Sequence, residues 1–329
     1  MKTFNEDFNI KKAMLVNTEE LKGQLPLFIK ETVVTQFKKD GIVIGVSGGV
    51  DSAVIATLSV EALGSDRVHG LILPEKESSP SSRQLASSLC KKLKIPFTEI
   101  PITSMLESFG IYDRKQSLLQ ELFPNYDPVL HTTNLFLPSG IAPARFLAVP
   151  SIRLSEKNRS IAVKRLSAPQ YLTLMSLQNV KQRIRMIVLY MQAEKMNCVV
   201  SGTTNKSELL AGYFVKFGDG GVDMEPIANM YKLQVYKLAE MLNINKKIIS
   251  RPPSPDTWSH FTSDEDFYLR MPYDILDQLL YAEEYGIPPE IVKKNTGLDS
   301  GQMEWAKKHI RSMKNASRLL QLAPPVYRG

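Results

Sequence analysis

Two serines, two glycines and an aspartate fall together at Ser47-Gly48-Gly49-Val50-Asp51-Ser52, and the chemistry such a combination serves is the holding of an oxyanion. The glycines let the backbone take conformations that a Cβ forbids and let it come close to a ligand. A helix starting just beyond them offers unpaired N–H groups and the positive end of its dipole, the usual seat of a phosphate. Ser47 and Ser52 add hydroxyl donors. Asp51 cannot usefully face a bare phosphate, and it is explained as a ligand for a Mg2+ that the phosphates share. A plain tight turn capped by Asp51 or Ser52 is the structural alternative; the placement of the serines and the aspartate favours the phosphate site. No Gly-Lys-Ser/Thr closes the loop, and the G-x-G-x-x-G spacing is missing, so it is neither a Walker loop nor a dinucleotide fingerprint.

The loop needs elements to hold it. An apolar strand over 41–46 leads in, and a helical pattern over 53–63 leads out. Residues 68–74 then read as a buried strand, 81–93 as a helix and 95–101 as a third strand. Strands alternating with helices over short connections predict an α/β fold, a doubly wound parallel sheet flanked by helices, with ligands beyond the carboxyl ends of the strands. A further strand, 197–202, ends in the polar run Thr203-Thr204-Asn205-Lys206-Ser207-Glu208, repeating the geometry of the first loop. We expect one domain over 1–329, with an N-terminal helix over 17–40, further helices over 179–196 and 231–242, and a helical C-terminal region over 270–329. The span 104–177 is broken by Pro124, Pro128, Pro138, Pro143, Pro150 and Pro169. It reads as an insertion, a lid or a partner surface, because long structureless stretches are uncommon inside compact domains. Its second half is basic through Arg145, Arg153, Lys157, Arg159, Lys164 and Arg165, which we read as solvated charges rather than an anion site.

Composition bounds the rest. The 329 residues, 43% apolar and 23% charged, are those of an ordinary globular chain with room for an ample core. A net charge of +7 suits acidic partners such as nucleotides, and equally nucleic acid or an anionic membrane. Cys90 and Cys198 each sit in an apolar run and read as buried free thiols, which fits a reducing cytoplasm. No stretch approaches the about 18 apolar residues of a membrane span. The four histidines share no ligand spacing, so a structural zinc is not expected.

The loop resembles the pyrophosphate loop of the ATP pyrophosphatases. The motifs together are similar to those of the NAD synthetase family: Gly45-Val-Ser-Gly-Gly-Val-Asp-Ser-Ala-Val, Val68-His-Gly-Leu, Asn179-Val-Lys-Gln-Arg-Ile-Arg-Met, Gly202-Thr-Thr-Asn-Lys-Ser-Glu-Leu, Gly212-Tyr-Phe-Val-Lys-Phe-Gly-Asp-Gly, Tyr231-Lys-Leu-Gln-Val-Tyr and Pro252-Pro-Ser. They run in family order from residue 41 to about residue 266. The resemblance implies amidation of nicotinic acid adenine dinucleotide by ammonia, with ATP spent as AMP and pyrophosphate. It implies that Ser47, Gly48, Gly49, Val50, Asp51, Ser52 and Thr203 bind ATP, and that Asp51 and Glu208 hold Mg2+. It places Lys216 and Lys232 near phosphate or developing charge, Asp219 near the nicotinate end, and Arg183 on the phosphates or ribose of the acid dinucleotide. A homodimer is implied, with neither nucleic acid nor a membrane as partner. The 104–177 segment is longer than this family normally has, and Thr204 stands where glycine is common. Two alternatives stay open: an amide ligase of the same chemistry acting on a different acid, and a noncatalytic nucleotide-binding subunit.

Overall fold

A computed structural model describes residues 4–5, 7–141 and 149–327. Two short helices open the chain, α1 (Ile10–Leu15) and α2 (Thr18–Lys30), and α2 runs into a π-helical turn, Glu31–Gln36, before the first strand. The single helix expected over 17–40 is thus an α-helix whose last turns are rewound, with Pro26 inside it.

Strand β1 (Gly41–Gly45), α3 (Val50–Leu63), β2 (Val68–Ile72), α4 (Pro80–Leu93) and β3 (Phe97–Glu99) follow in order. After them come α5 (Thr103–Ser108), α6 (Ile111–Leu122), strands β4 (His131–Phe136), β5 (Ser151–Glu156) and β6 (Arg159–Arg165), and α7 (Ala168–Lys195). Strand β7 (Cys198–Ser201) returns to the first sheet, and α8 (Lys206–Ala211), α9 (Lys232–Met241), α10 (Lys246–Ile249), α11 (Tyr273–Tyr285), α12 (Pro289–Thr296) and α13 (Ser300–Gln321) complete the chain.

The parallel sheet has the order β3-β2-β1-β7. Ile42 pairs with Val68 on one side and with Val199 on the other. The chain adds strands outward from β1 through β2 to β3, then returns to pair β7 with the opposite edge of β1. The order therefore reverses between β1 and β7, the place where open α/β sheets leave a crevice for ligands. Alternation along β1 covers both faces. Ile42 and Ile44 pack with α2, α3, α4 and α9, whereas Val43 packs with α5 and α7 through Leu106, Ile184 and Val188.

The 104–177 span is not structureless. Its strands form a separate antiparallel sheet, β4-β5-β6, with Leu135 opposite Ile152. Its last ten residues are the first turns of α7, which starts at Ala168 rather than near residue 179 because Ser167 and Gln170 form a capping box. Leu135, Ile152 and Leu154 pack with Leu118 and Leu119 of α6, Leu174 of α7 and Trp258. Arg159, Lys164 and Arg165 are exposed on β6, as expected of solvated charges, and Arg153 lies over the Phe136 ring at 4.5 Å. Arg145 and Pro143 lie outside the described residues. A further core joins α1 to α11, α12 and α13. Among the described residues, no helix is long and apolar enough to cross a membrane.

Candidate active site

A cavity of about 560 Å3 opens beyond the carboxyl ends of β1, β2 and β7. The 47–52 turn forms its floor. Gly48 has φ +79°, and a Cβ there would lie 2.4 Å from the Ser82 carbonyl, so the loop presses backbone to backbone against the start of α4. Two requirements, left-handed backbone and close approach, meet at one glycine. Ser47 Oγ lies 3.1 Å from Ser52 Oγ and accepts from Gly49 N at 3.2 Å, while Ser52 Oγ donates to the Gly49 carbonyl at 3.1 Å. Gly49 is the N-cap of α3 and supplies no capping side chain, which leaves the first N–H groups of the helix without one.

The turn after β7 faces this loop. Asn205 caps α8, accepting from Glu208 N at 3.1 Å, and Glu208 Oε2 accepts from Asn205 N at 3.3 Å, a reciprocal capping box. The same Asn205 amide donates through Nδ2 to Asp51 Oδ1 at 3.0 Å. One side chain therefore sets the two carboxylates relative to each other.

Between those carboxylates sits the ammonium of Lys232, the first residue of α9. Its Nζ is 2.5 Å from Asp51 Oδ2 and 3.1 Å from Glu208 Oε1, with only 2% of its side chain exposed. Burial would lower the lysine pKa, but Asp51 and Glu208 outweigh it and hold Lys232 well above the ordinary range. Glu208 is pushed upward by burial, against the pull of Lys232. One cation between two carboxylates leaves the group net anionic when ionised. Two hard oxygen ligands converging on a cation beside a phosphate loop match what Mg2+ shared with substrate phosphates requires. Among the described residues, no group of three or more His, Cys, Asp or Glu gathers as a metal cage.

Tyr273 links the group to its wall: its hydroxyl is 3.3 Å from Glu208 Oε1 and 3.0 Å from Asp264 Oδ2, and Asp264 Oδ1 accepts from Tyr213 at 2.8 Å. Beyond Tyr213 the glycine-rich turn delivers Lys216, whose Nζ donates to the Leu322 carbonyl at 2.8 Å. Asp219 accepts from Val215 N at 3.0 Å, and the surrounding protein pushes its carboxyl up to about 6 by desolvation although the residue opens onto the cavity.

Thr203, Glu208, Lys216, Asp219, Lys232 and Arg183 all line the cavity with Ser47, Gly49, Val50, Asp51 and Ser52; Gly48 lies beneath, against Ser82. Every residue singled out from the sequence is therefore in one place. Others were passed over. Asn205 and Arg185 lie inside quoted motifs, where their types gave a signal; Arg185 reaches the Leu73 carbonyl at 3.4 Å. Asp264 and Tyr273 had none, being an acid and a phenol outside every quoted motif. The thiols are set for packing: Cys90 is buried, with its pKa pushed up to about 11 by burial, and Cys198, at the start of β7, is half-buried rather than buried while the rest of that strand is buried. His69 pairs with Thr98 at 2.9 Å, a packing role.

The family model for NAD synthase matches residues 22–123 and 146–318. The chain belongs to the NAD synthase family. Similar curated proteins include the NH3-dependent NAD+ synthetase of Rhizobium rhizogenes, 36% identical over 296 residues, covering 90% of this chain and 89% of that one. The protein of the same name from Thermotoga maritima is 39% identical over 264 residues, 80% of this chain and 87% of its own. Among solved structures, the NMN synthetase of Francisella tularensis has a TM-score of 0.62 at 25% identity, covering 95% of this chain and 99% of that one. The NH3-dependent NAD synthetase of Campylobacter jejuni has 0.61 at 25%, covering 94% and 99%. The NAD synthase match stops at residue 123 and resumes at 146, so the gap takes in β4 and falls within the segment that the sequence marked as longer than usual.

Proposed function

We propose that this chain amidates nicotinic acid adenine dinucleotide to NAD+ with ATP and ammonia, through an adenylated carboxylate, releasing AMP and pyrophosphate. The observation that carries the reading is the meeting of Asp51 and Glu208, from the ends of adjacent strands, at one cation above the 47–52 loop. A carboxylate is a poor acyl donor to ammonia because oxide would have to leave. Its attack on the α-phosphorus of ATP makes a mixed anhydride and frees pyrophosphate; ammonia then attacks the carbonyl carbon and AMP departs.

The 47–52 loop cradles the departing pyrophosphate with backbone N–H groups and the two serine hydroxyls. Asp51 and Glu208 would hold Mg2+, which when bound neutralises charge on the phosphate oxygens. Lys232 and Lys216 balance charge developing on the phosphates, and Thr203 orients ATP. Arg183 meets the phosphates or ribose of the acid dinucleotide, with Asp219 toward its nicotinate end. Both thiols are built for packing rather than nucleophilic attack, so ammonia rather than glutamine is the nitrogen source of this chain. The reading places the enzyme in the cytoplasm as a homodimer. Leu27, Phe28, Val34 and Phe37 leave an apolar stripe exposed along α2 and the turn after it, which favours a partner copy.

The neighbouring NMN synthetase keeps a shorter acceptor acid in view. Purified protein is incubated with ATP, Mg2+ and ammonium plus either nicotinic acid adenine dinucleotide or its mononucleotide, and the amides are identified by mass. The proposal expects NAD+ as the faster product, with AMP. Preference for the mononucleotide overturns the acceptor, and binding of ATP without turnover on either makes the chain a noncatalytic subunit.

A further inference from the structure

Behind the cavity wall lies a set of buried charges that the proposed chemistry does not use. Lys181 of α7 has no exposed side-chain surface. Its ammonium donates to Glu75 Oε1 at 2.8 Å, to Glu77 Oε2 at 2.6 Å and to the Thr257 carbonyl at 2.8 Å, which uses all three of its N–H groups. Glu75 Oε2 accepts from the Tyr112 hydroxyl at 2.7 Å and from Glu77 N at 2.9 Å. Lys115 of α6 closes the set on Glu77 Oε1 at 2.6 Å. Two carboxylates and two ammoniums balance in charge.

Assembling such a group in the interior costs so much desolvation that it is a weak source of stability. What it does supply is geometry, because each acceptor meets its donor at a single place. Three separate walls of the cavity meet at the Lys181 ammonium: the loop after β2, which continues through Pro74, Ser78 and Ser79; the middle of α7, with Asn179 and Arg183; and the 252–257 loop. The first and third walls are joined a second time by Asp256, which accepts from Ser79 N at 3.1 Å and from Ser82 Oγ at 2.6 Å. Ser82 in turn presses on Gly48 of the phosphate loop. The wall fixed by Lys181 is thus continuous with the 47–52 loop.

We infer that Lys181 is a positioning residue for ATP, locking together the two loops that flank the nucleoside while touching no substrate itself. The inference rests on the assignment of ATP to this cavity. Through Lys115 and Tyr112 the same lock ties α6, the first long helix of the inserted span, to the substrate wall.

The test is the charge-balanced double variant K181M/E75Q, which leaves Lys115 and Glu77 paired. The KM for ATP and its calorimetric Kd should rise about tenfold or more, while kcat at saturating ATP stays within about threefold. A smaller folded fraction cannot produce that split, because it lowers apparent kcat and leaves KM alone. The outer pair variant K115M/E77Q keeps Lys181 on Glu75 and Thr257, so its KM should stay within about twofold of wild type. Should K181M/E75Q not fold, Lys181→Arg takes its place: a planar guanidinium keeps the charge but cannot set its donors where the ammonium does, and the same rise in KM is required. Wild-type KM and Kd for ATP in the inner variant overturn the inference alone. Wild-type protein that neither binds nor consumes ATP overturns the assignment of the cavity together with it.

Discussion

Asn205 shows how much of the chemistry depends on a single side chain with two ends. Its oxygen caps α8 and its nitrogen holds Asp51, so an aspartate there would keep the cap and turn the other end into a third carboxylate facing Asp51. Asn205→Asp should keep the cap, lower the melting temperature by setting a buried carboxylate against Asp51, a cost of about 1–3 kcal/mol, and lower kcat/KM about tenfold to a hundredfold. Steady-state kinetics beside a melting curve checks both halves. Asp51→Asn and Glu208→Gln should each cut turnover about a hundredfold or more with the fold intact, and a variant of near-normal rate would remove that residue from the site. Glu77 gives a pH dependence. Burial raises its carboxyl, but Lys115 and Lys181 outweigh burial and bring it down to about 2 from an ordinary 4.5. A carboxyl lowered on folding stabilises the native state fully above its unfolded pKa and loses that contribution as pH falls through the folded value. Glu77→Gln should therefore be less stable than wild type at pH 7, with the gap narrowing from about pH 4.5 downward. Urea melts at pH 7 and pH 3 measure it, and a gap that does not change would contradict the ion-pair reading.

At the scale of elements, the parallel sheet and its two strand-end turns were legible because β1, β2 and β7 are largely apolar runs that stop at clusters of glycine, hydroxyl and acidic residues. The insertion was not. Of its described prolines, Pro124 and Pro128 lie between α6 and β4, Pro138 follows β4, Pro150 precedes β5 and Pro169 sits in the first turn of α7, and strand β6 is exposed along most of its length, so no burial pattern marks it as a strand. Helix α7 was read from its second half alone. Its 28 residues change burial partner midway, Leu174 packing with the inserted sheet and Ile184 and Val188 with the central one, so no single apolar stripe runs its length. That change explains the late start assigned to the helix. It also puts Asn179, Arg183 and Arg185 at the junction of two cores, where a helix is held from both ends. The buried lock at Lys181 escaped the sequence for a related reason: a lysine in a basic chain reads as solvated, and only the fold brings Glu75 and Glu77 to it.

In the molecule as a whole, the 47–52 loop and the Asp51–Glu208 pair are held at the point where the strand order reverses, walled by α7 and the loops that Lys181 ties together. Light scattering at micromolar concentration should give twice the chain mass, and a fully active monomer would contradict the paired assembly. Ammonium should support turnover, and glutamine alone should not; glutamine use abolished by Cys90→Ser or Cys198→Ser would show a catalytic thiol in place of a packing one. The central claim is that the acid is activated by transfer of AMP, and oxygen labelling tests it most directly. Nicotinic acid adenine dinucleotide carrying 18O in its carboxylate is converted with ATP, Mg2+ and ammonium, and the products are weighed. Attack of the carboxylate on the α-phosphorus leaves one carboxylate oxygen bridging to AMP, so the account predicts 18O in AMP and none in pyrophosphate. Label in inorganic phosphate, with ADP as the other product, would contradict it.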